Sequence, residues 1–261
     1  MTIALIPVKR LEQSKSRLLP ELPDARRQAL TLAMLEDLIE ALRASDRIDR
    51  IAVTTPDPIV AERARAAGAE VVLRPEPGLN AALEDAAHRL GPASDEALLV
   101  VLGDVAGALP EDLARLVDAA HAETAPARGV WLAPSNDGGT SALLLRPADA
   151  IEFRFGSESA RRHQEAAQEA GVAYHALPLD SLAIDLDQPE DLSRFLASSS
   201  GGPRTRALLG GEPTIGSEPA SSHANGQANG QANGQANGHT SDDARRATCG
   251  DACEDGKRST P

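Results

Sequence analysis

The feature that most constrains the fold is an alternation, over the first 198 residues, of short continuous apolar runs with longer amphipathic stretches. Continuous apolar runs are typical of strands that are covered on both faces. The sequence predicts seven such strands, at Ile3–Val8, Ile51–Thr54, Val71–Leu73, Ala97–Leu102, Val130–Ala133, Ala142–Leu145 and Ala173–Leu177. Because strands that alternate with helices form parallel sheets with right-handed crossovers, we predict an α/β fold with a mostly parallel sheet.

The stretches between the predicted strands carry helix signals. Between Asp24 and Ala44, apolar residues recur at every fourth position, which places them on one stripe of a helix. These residues are Leu30, Met34, Leu38 and Leu42. Asp57 followed by Pro58 is typical of a helix start, with an aspartate N-cap and a proline in the first turn. Further helices are predicted over residues 80–90, 110–122, 159–170 and 190–197.

The composition changes sharply near residue 198, and we predict one domain over residues 1–202. Residues 203–261 contain three copies of the sequence QANG and few apolar side chains. Such a segment cannot bury enough apolar surface to offset the entropy of ordering it, so we predict a disordered tail. Cys249 and Cys253 lie in this tail, and two cysteines alone cannot complete a zinc site.

Charge and aromatic content exclude several classes of partner. The chain has 39 acidic and 26 basic residues, a formal net charge of −13, and only 2% aromatic residues. This balance argues against binding to nucleic acid or to anionic membranes, and it leaves too few aromatic rings for a base-stacking surface. No apolar run approaches the ~20 residues that span a bilayer, and the first residues do not form a signal peptide, so we predict a cytoplasmic protein.

Ligands bind open α/β sheets beyond the carboxyl ends of the strands, so the residues that follow each strand are the candidates for a site. After the first strand, a glycine-free loop carries four cations, a composition suited to a polyphosphate. The four are Lys9, Arg10, Lys15 and Arg17. After the fourth strand, Asp104 is placed to hold Mg²⁺, which prefers one or two carboxylates. Asp185 and Asp187, on an extended stretch, face one side and offer a second carboxylate.

Three other segments admit both a ligand-binding and a purely structural interpretation. Residues 137–141 (DGGTS) contain glycines that let a backbone approach a ligand, although a plain hairpin turn also fits. Residues 155–163 (FGSESARRH) open a helix whose N-terminus suits an anion, although Ser157 or Ser159 could simply cap it. In residues 74–83 (RPEPGLNAAL), Asn80 either caps the next helix or reads the edge of a base.

In their order and spacing these segments resemble the MobA-like nucleotidyltransferases. Within this group, the chain more specifically resembles the guanylyltransferases that activate a small phosphorylated acid in coenzyme F-420 biosynthesis. The matching segments are IPVKRLEQSKSRL at 6–18, RPEPGLNAAL at 74–83, LGDVAGALPEDL at 102–113, DGGTSALLL at 137–145, FGSESARRH at 155–163, DLDQPEDL at 185–192 and TRALL at 205–209. This resemblance implies a Rossmann-like three-layer sandwich. The chain departs from the family in the sequence Val-Ala-Gly after Asp104, where Leu-Pro is usual, and in its QANG tail.

The resemblance implies that the phosphate of a small phosphorylated carboxylic acid attacks the α-phosphorus of GTP, with Mg²⁺ as cofactor and pyrophosphate as leaving group. Abundant arginine and alanine beside little lysine suggest a GC-rich bacterial genome, so we expect phosphoenolpyruvate, with 2-phospho-L-lactate and 3-phosphoglycerate as alternatives. The resemblance implies catalytic roles for Lys9, Lys15, Arg17 and Asp104, and binding of Mg²⁺ by Asp104 with Asp185 or Asp187. It implies that the nucleotide is bound by Pro7, Val8, Lys9, Lys15, Gly78 and Asn80, of which Asn80 reads guanine. It implies that the acceptor is bound by Thr140, Ser141, Gly156 and Ser159.

Two other interpretations of the sequence stay open. One is a cytidylyltransferase or sugar-1-phosphate transferase on the same fold, which the glycine-free basic loop disfavours. The other is a nucleotide-binding regulatory protein without turnover, which the unusual sequence after Asp104 keeps open. The oligomeric state cannot be read from the sequence, so a homodimer is also left open.

Overall fold

All seven predicted strands form, and they lie in one sheet. The strands are Thr2–Pro7 (β1), Arg50–Thr55 (β2), Glu70–Leu73 (β3), Ala97–Val101 (β4), Gly129–Pro134 (β5), Thr140–Arg146 (β6) and Ala173–Ala176 (β7). Their order in the sheet is β3-β2-β1-β4-β6-β5-β7. β6 runs antiparallel to β4 and β5, and the other pairs are parallel, so the prediction of a mostly parallel sheet is confirmed. This computed structural model describes residues 1–18, 21–74, 78–198 and 200–210.

Within the described residues, the first six α-helices begin close to where the sequence predicts them, and the seventh is not predicted. They are Asp24–Ala44 (α1), Pro58–Ala66 (α2), Leu79–Leu90 (α3), Pro110–His121 (α4), Ser159–Ala170 (α5), Pro189–Ala197 (α6) and Pro203–Gly210 (α7). The predicted apolar stripe of α1 is buried along its whole length. Asp57 caps α2 as expected, because its carboxylate accepts hydrogen bonds from the backbone N–H groups of Ile59 and Val60. Within the described residues, no helix is both long and apolar enough to cross a membrane.

Helices cover both faces of the sheet, and each face has its own core. Leu38 of α1, Val60 of α2 and Leu116 of α4 belong to the core on one face. Leu83 of α3 and Ala166 of α5 belong to the core on the other face. Successive residues of β1, β4, β5 and β6 therefore face different helices but are buried alike, which explains their continuous apolar runs. The edge strands β3 and β7 are only partly buried, so the expectation of strands covered on both faces is wrong for them. The fold is the predicted three-layer sandwich.

The predicted boundary of the disordered tail is wrong for residues 203–210, which form α7. Asp37 of α1 is buried and accepts two hydrogen bonds of 2.8 Å from Thr205, one from its backbone N–H and one from its hydroxyl. Arg204 forms ion pairs with Asp37 and with Glu40. Because these anchors are polar, a search for apolar periodicity overlooks them. The rest of the predicted tail, 211–261 with both cysteines, lies outside the described residues.

The strand order brings the predicted site segments to one edge of the sheet. β1, β2 and β4 are parallel, so the residues that follow them lie at a common edge. β6 is antiparallel to β4, and its first residues, Thr140 and Ser141, therefore lie at that same edge. The hydrogen bond from the Leu102 backbone N–H to the Ser141 carbonyl, at 3.0 Å, joins the end of β4 to the start of β6. The antiparallel strand thus delivers hydroxyl groups to the edge where the parallel strands end.

Candidate active site

A cavity of about 570 Å³ opens at this edge of the sheet. Its volume falls within the roughly 300–1,000 Å³ that small-molecule sites usually occupy. All the predicted site residues except Asn80 line it: Pro7, Val8, Lys9, Lys15, Arg17, Gly78, Asp104, Thr140, Ser141, Gly156, Ser159, Asp185 and Asp187. The expectation that residues after different strands meet in one place therefore agrees with the structure.

One wall of the cavity is the basic loop, defined here as residues 9–18. Its backbone forms two single-turn 3₁₀ helices, Leu11–Gln13 and Ser16–Leu18. The loop is held by side chains from outside it. Asp57, the N-cap of α2, accepts a 2.9 Å hydrogen bond from the Leu11 backbone N–H through Oδ2, and the buried guanidinium of Arg27 donates to the Ser14 carbonyl. The conformation of the basic loop therefore depends on α1 and on the start of α2.

Lys15 connects the basic loop to the end of β4. Its backbone has a positive φ of 56°, which is uncommon for a residue with a side chain. Its Nζ lies 3.4 Å from Asp104 Oδ2, and the lysine side chain is only 6% exposed. Asp104 Oδ1 is buried and has no hydrogen-bond partner within the described part of the chain. One oxygen of this carboxylate is thus left available for a further cation.

Asp185 lies against the segment that follows Asp104. Residues Val105 and Asp185 form an antiparallel β-bridge, and the Leu186 backbone N–H donates to the Asp104 carbonyl at 3.1 Å. Burial, together with the negative charge of Asp104, raises the pKa of Asp185 to about 6. In the unusual Val-Ala-Gly sequence, Val105 and Ala106 are buried, and Val105 is held next to Asp185 by the β-bridge.

Asp187 is placed differently from Asp185, although both line the cavity. Its Oδ2 accepts a 2.7 Å hydrogen bond from Arg17 Nη1, and the Arg17 side chain is largely exposed. The ion pair joins the basic loop to the opposite wall of the cavity. Over the described ranges, no group of three or more His, Cys, Asp or Glu side chains is arranged to hold a metal ion. Any metal bound between Asp104 and Asp185 would need oxygen ligands from elsewhere.

The opposite end of the cavity is the hydroxyl corner, defined here as Thr140, Ser141 and Ser159. All three residues are buried. Ser159 Oγ donates to Thr140 Oγ1 at 3.0 Å, whereas Ser141 Oγ is buried without a hydrogen-bond partner within the described chain. Ser159 is the first residue of α5 but does not cap it, so the capping interpretation of this serine is wrong.

The β5–β6 connection is both a hairpin turn and a wall of the cavity. Asp137 accepts hydrogen bonds from the Ser135 hydroxyl and, at 2.9 Å, from the Gly139 backbone N–H. The hydrogen bond from Ser135 is the main cause of a lowered pKa for Asp137. The plain-hairpin interpretation therefore describes this segment, and contact with a ligand stays a prediction.

Of the two roles predicted for Asn80, capping of α3 is not observed, and reading of a base edge stays a prediction. The N-cap of α3 is Gly78, with a φ of 105°. Asn80 does not line the cavity. Its side-chain oxygen accepts from the Phe155 backbone N–H at 2.9 Å, and its amide nitrogen donates to the Phe155 carbonyl at 3.2 Å. Asn80 thus fastens the segment before α5 to α3, a contact that the sequence spacing of 75 residues does not reveal.

Sequence analysis missed several residues of the cavity. Thr54 and Thr55, at the end of β2, line it, as does Arg74, which donates to the Ala81 carbonyl. Thr54 Oγ1 is buried without a hydrogen-bond partner in the described chain. Inspection of the end of every predicted strand, β2 included, would have found both threonines. Residues 75–77 of the segment 74–83 are not among the described residues.

Comparisons with known proteins agree with this geometry. The family model described as "Guanylyl transferase CofC like" matches residues 2–209. A phosphoenolpyruvate guanylyltransferase of Sphaerobacter thermophilus is 40% identical over 198 residues, which cover 74% of this chain and 92% of the relative. A 2-phospho-L-lactate guanylyltransferase of Methanothermobacter thermautotrophicus is 34% identical over 201 residues, which cover 77% of this chain and 86% of the relative.

A solved structure supports the fold independently. A protein described as a nucleotide-diphospho-sugar transferase from Desulfovibrio desulfuricans G20 superposes with a TM-score of 0.60 at 18% sequence identity. The superposition covers 80% of this chain and 93% of that chain. At such low identity the likeness concerns the fold alone, which is the Rossmann-like α/β architecture expected from the sequence.

Proposed function

The chain belongs to the CofC-like guanylyl transferase family, and from this premise we propose that it transfers GMP from GTP to phosphoenolpyruvate, giving enolpyruvyl-diphosphoguanosine and pyrophosphate. One observation carries the proposal: a single cavity is lined by the cations of the basic loop, by Asp104 and Asp185, and by the hydroxyl corner. These three sets supply what a triphosphate, a metal and a small anionic acceptor each require.

The reaction needs neither a protein nucleophile nor a general base. A phosphate oxygen of the acceptor, already anionic near neutral pH, forms a bond to the α-phosphorus of GTP. The bond from that phosphorus to the oxygen bridging to the β-phosphate breaks, and its electron pair leaves with pyrophosphate. The difficulty is the approach of two anions, so catalysis rests on positioning and on neutralisation of charge.

The basic loop supplies the positive charge. Lys9 and Arg17 are exposed at the cavity wall, where they can contact the triphosphate. Lys15 is buried beside Asp104, so we place its ammonium next to the α-phosphate and the departing pyrophosphate. Pro7, Val8 and Gly78 form the wall for the nucleoside, with Thr54 as a further polar group at that end.

Asp104 and Asp185 would hold Mg²⁺ together with phosphate oxygens. The fit rests on Asp104 Oδ1, which has no hydrogen-bond partner among the described residues, and on Asp185, whose pKa is raised by burial and by the negative charge of Asp104. A cation between the two carboxylates would offset that negative charge. Two carboxylates suffice, since Mg²⁺ keeps water and substrate phosphates as its other ligands. Bound there, the ion would neutralise charge on the reacting phosphates. Asp187 is less suited because Arg17 already occupies one of its oxygens.

The hydroxyl corner would bind the acceptor. Gly156 has a φ of 125°, a conformation that favours glycine, and it precedes the N-terminus of α5. A helix N-terminus and nearby hydroxyl donors suit a small dianion or carboxylate. Thr140, Ser141 and Ser159 are short and buried, so they define an acceptor position more tightly than the long side chains of the basic loop.

Phosphoenolpyruvate is proposed over 2-phospho-L-lactate because the relative named for it is 40% identical, against 34% for the relative named for phospholactate. The corresponding place of the enzyme is coenzyme F-420 biosynthesis. The alternatives are the same transfer to 2-phospho-L-lactate or to 3-phosphoglycerate. The three acceptors differ by a double bond or by the position of a hydroxyl, which buried polar groups can discriminate.

Pyrophosphate release tests the proposal. The full chain is incubated with Mg²⁺, GTP and one of the three acceptors, and each reaction is repeated with ATP, CTP and UTP. Release that requires GTP and is fastest with phosphoenolpyruvate is the expected result. Faster release with another acceptor would change the assignment of the acceptor. A preference for CTP would favour a cytidylyltransferase. Binding of GTP without pyrophosphate release under any condition would favour a non-catalytic nucleotide-binding protein.

A further inference from the structure

His163 is the most deeply buried titratable side chain near the cavity to which the proposed reaction gives no role. It lies on α5 and is 0% exposed. Its ring contacts Phe155 edge-on, with centroids 4.8 Å apart. Both ring nitrogens have polar partners: Nδ1 lies 3.1 Å from Thr140 Oγ1, and Nε2 lies 3.0 Å from the Arg154 backbone nitrogen. The imidazole therefore links the hydroxyl corner to the backbone that precedes α5.

The Arg154 contact determines which ring nitrogen carries the proton. A backbone N–H can only donate, so Nε2 must accept and cannot be protonated. Burial, assisted by the positive charges of Arg162 and Arg154, lowers the pKa of His163 to about 4, and the ring is neutral at physiological pH. The one remaining proton is therefore on Nδ1, the nitrogen that faces Thr140.

The same reasoning determines the direction of the Thr140 hydroxyl. Thr140 Oγ1 cannot donate to Nδ1, which carries a proton, and it accepts from Ser159 Oγ. Because His163 Nδ1 and Ser159 Oγ are both donors to Thr140 Oγ1, the Thr140 hydroxyl can donate its own hydrogen bond only to a third group. Thr140 lines the cavity, so an oxygen atom of a ligand placed there can accept a hydrogen bond from the Thr140 hydroxyl.

We propose that His163 is a positioning residue that orients the Thr140 hydroxyl as a hydrogen-bond donor to an anionic oxygen of the acceptor substrate. This inference rests on the proposed function, because it concerns the acceptor end of that site. A neutral imidazole achieves the orientation without adding charge to the site. His163 itself does not touch the acceptor and takes no part in the transfer of GMP.

Two substitutions separate the two hydrogen bonds of the ring. In His163→Gln the side-chain oxygen can take the place of Nε2 and accept from Arg154, but the donor to Thr140 is lost. In His163→Asn the amide can take the place of Nδ1 and still donate to Thr140, whereas the bond to Arg154 is lost. If His163 orients Thr140, His163→Gln raises the KM for phosphoenolpyruvate at least about 10-fold and leaves the KM for GTP unchanged. In His163→Asn, the KM for phosphoenolpyruvate stays close to the wild-type value.

A double-mutant cycle tests whether the effect passes through Thr140. His163→Gln is combined with Thr140→Val, which keeps the shape of the side chain but removes its hydroxyl. The proposal expects no further rise in the acceptor KM when His163→Gln is added to Thr140→Val. An additive rise, or an equal rise in the KM values for GTP and phosphoenolpyruvate, would show a structural role and overturn the proposal.

A direct measurement covers the case in which the variants fail to fold. Histidine labelled with ¹⁵N in the full wild-type chain reports the tautomer of each ring by NMR at neutral pH. The proposal expects the Nδ1–H tautomer for the buried ring, and the Nε2–H tautomer would overturn it. This readout needs no turnover, so it remains decisive even if wild-type protein releases no pyrophosphate, a result that would overturn the proposed function instead.

Discussion

The two ends of the cavity are built in different ways. The basic loop carries long charged side chains on an irregular backbone, and its shape depends on Asp57 and Arg27 from neighbouring helices. The hydroxyl corner carries short, buried side chains on a strand and on a helix start, and it is supported from behind by His163. In the proposed function, the first end neutralises charge and the second fixes an orientation.

The difference indicates how the two ends should respond to substitution. Charges on long side chains act over several ångströms and tolerate small displacements, whereas a hydrogen bond weakens steeply with angle and distance. We therefore expect damage to the basic loop to affect GTP, and damage to the hydroxyl corner to affect the acceptor. Asp104 and Asp185 lie between the two ends, so changes there should affect the chemical step itself.

The largest expected effect is that of Asp104→Asn. Loss of the carboxylate would weaken the proposed site for Mg²⁺ and would leave Lys15 without its ion-pair partner, so turnover should fall at least ~100-fold. Steady-state pyrophosphate release measures it, with circular dichroism to confirm folding. Asp149→Asn is the matched control, because that aspartate is 85% exposed on its side chain and lies away from the cavity. Near-normal turnover of folded Asp104→Asn would remove Asp104 from the mechanism.

The pH dependence of metal use tests Asp185. Its pKa of about 6 means that protonation competes with Mg²⁺ as the pH falls through that value. At limiting Mg²⁺, activity should therefore decline below pH 6, and additional Mg²⁺ should restore it. Asp187→Asn should keep this behaviour and Asp185→Asn should abolish it. The opposite result for the two variants would move the metal ligand to Asp187.

Asp185 also predicts a change in stability with a definite sign. A carboxyl whose pKa is raised on folding destabilises the native state when it ionises, so this cost is absent below the ordinary pKa of 3.8 and is complete above about 6. Asp185→Asn should stabilise the metal-free protein at neutral pH by about 1 kcal/mol after allowance for solvent screening, roughly 2–4 °C in Tm. Thermal unfolding at neutral and acidic pH measures it, and no gain at neutral pH would contradict the assignment.

Asp57 tests whether the basic loop acts on GTP alone. In Asp57→Asn one oxygen remains to cap α2, but the amide NH₂ group can no longer accept from the Leu11 backbone N–H. The KM for GTP should rise about 10-fold, with the acceptor KM within about 2-fold of wild type. Asp57→Ala should add the loss of the cap, about 1 kcal/mol of stability. A rise confined to the acceptor KM would break the division between the two ends.

The smallest expected effect is that of Ser141→Ala in the hydroxyl corner. The Ser141 hydroxyl is buried without a partner within the described chain, so its removal should raise the Tm of the ligand-free protein by roughly 2 °C. The same change should raise the acceptor KM about 3-fold and leave the GTP KM unchanged. Ser159→Ala is the comparison, because it removes a hydrogen bond to Thr140 and should give no gain in stability. A lower Tm for Ser141→Ala would show that its hydroxyl is already satisfied.

Much of the fold could be predicted because it depends on local pattern. The stripe of α1 and the continuous apolar runs each indicate which faces are buried, and both agree with the structure except at the edge strands β3 and β7. The boundary at residue 202 was wrong because α7 is anchored by Asp37 and Thr205, two polar residues 168 positions apart. The capping role predicted for Asn80 is wrong because its side chain is paired instead with Phe155, which lies on a different segment.

The sequence by itself determined the seven strands, helices α1 to α6, the residues that follow each strand and the family to which the chain belongs. Only the tertiary structure decided which of those residues meet. The antiparallel direction of β6 brings Thr140 to the same edge as Asp104, and α5 places His163 behind that threonine. Hydrophobic periodicity records burial within one element, whereas the direction of a hydroxyl proton or the pKa of a carboxyl depends on groups from several elements, so only the folded chain defines them.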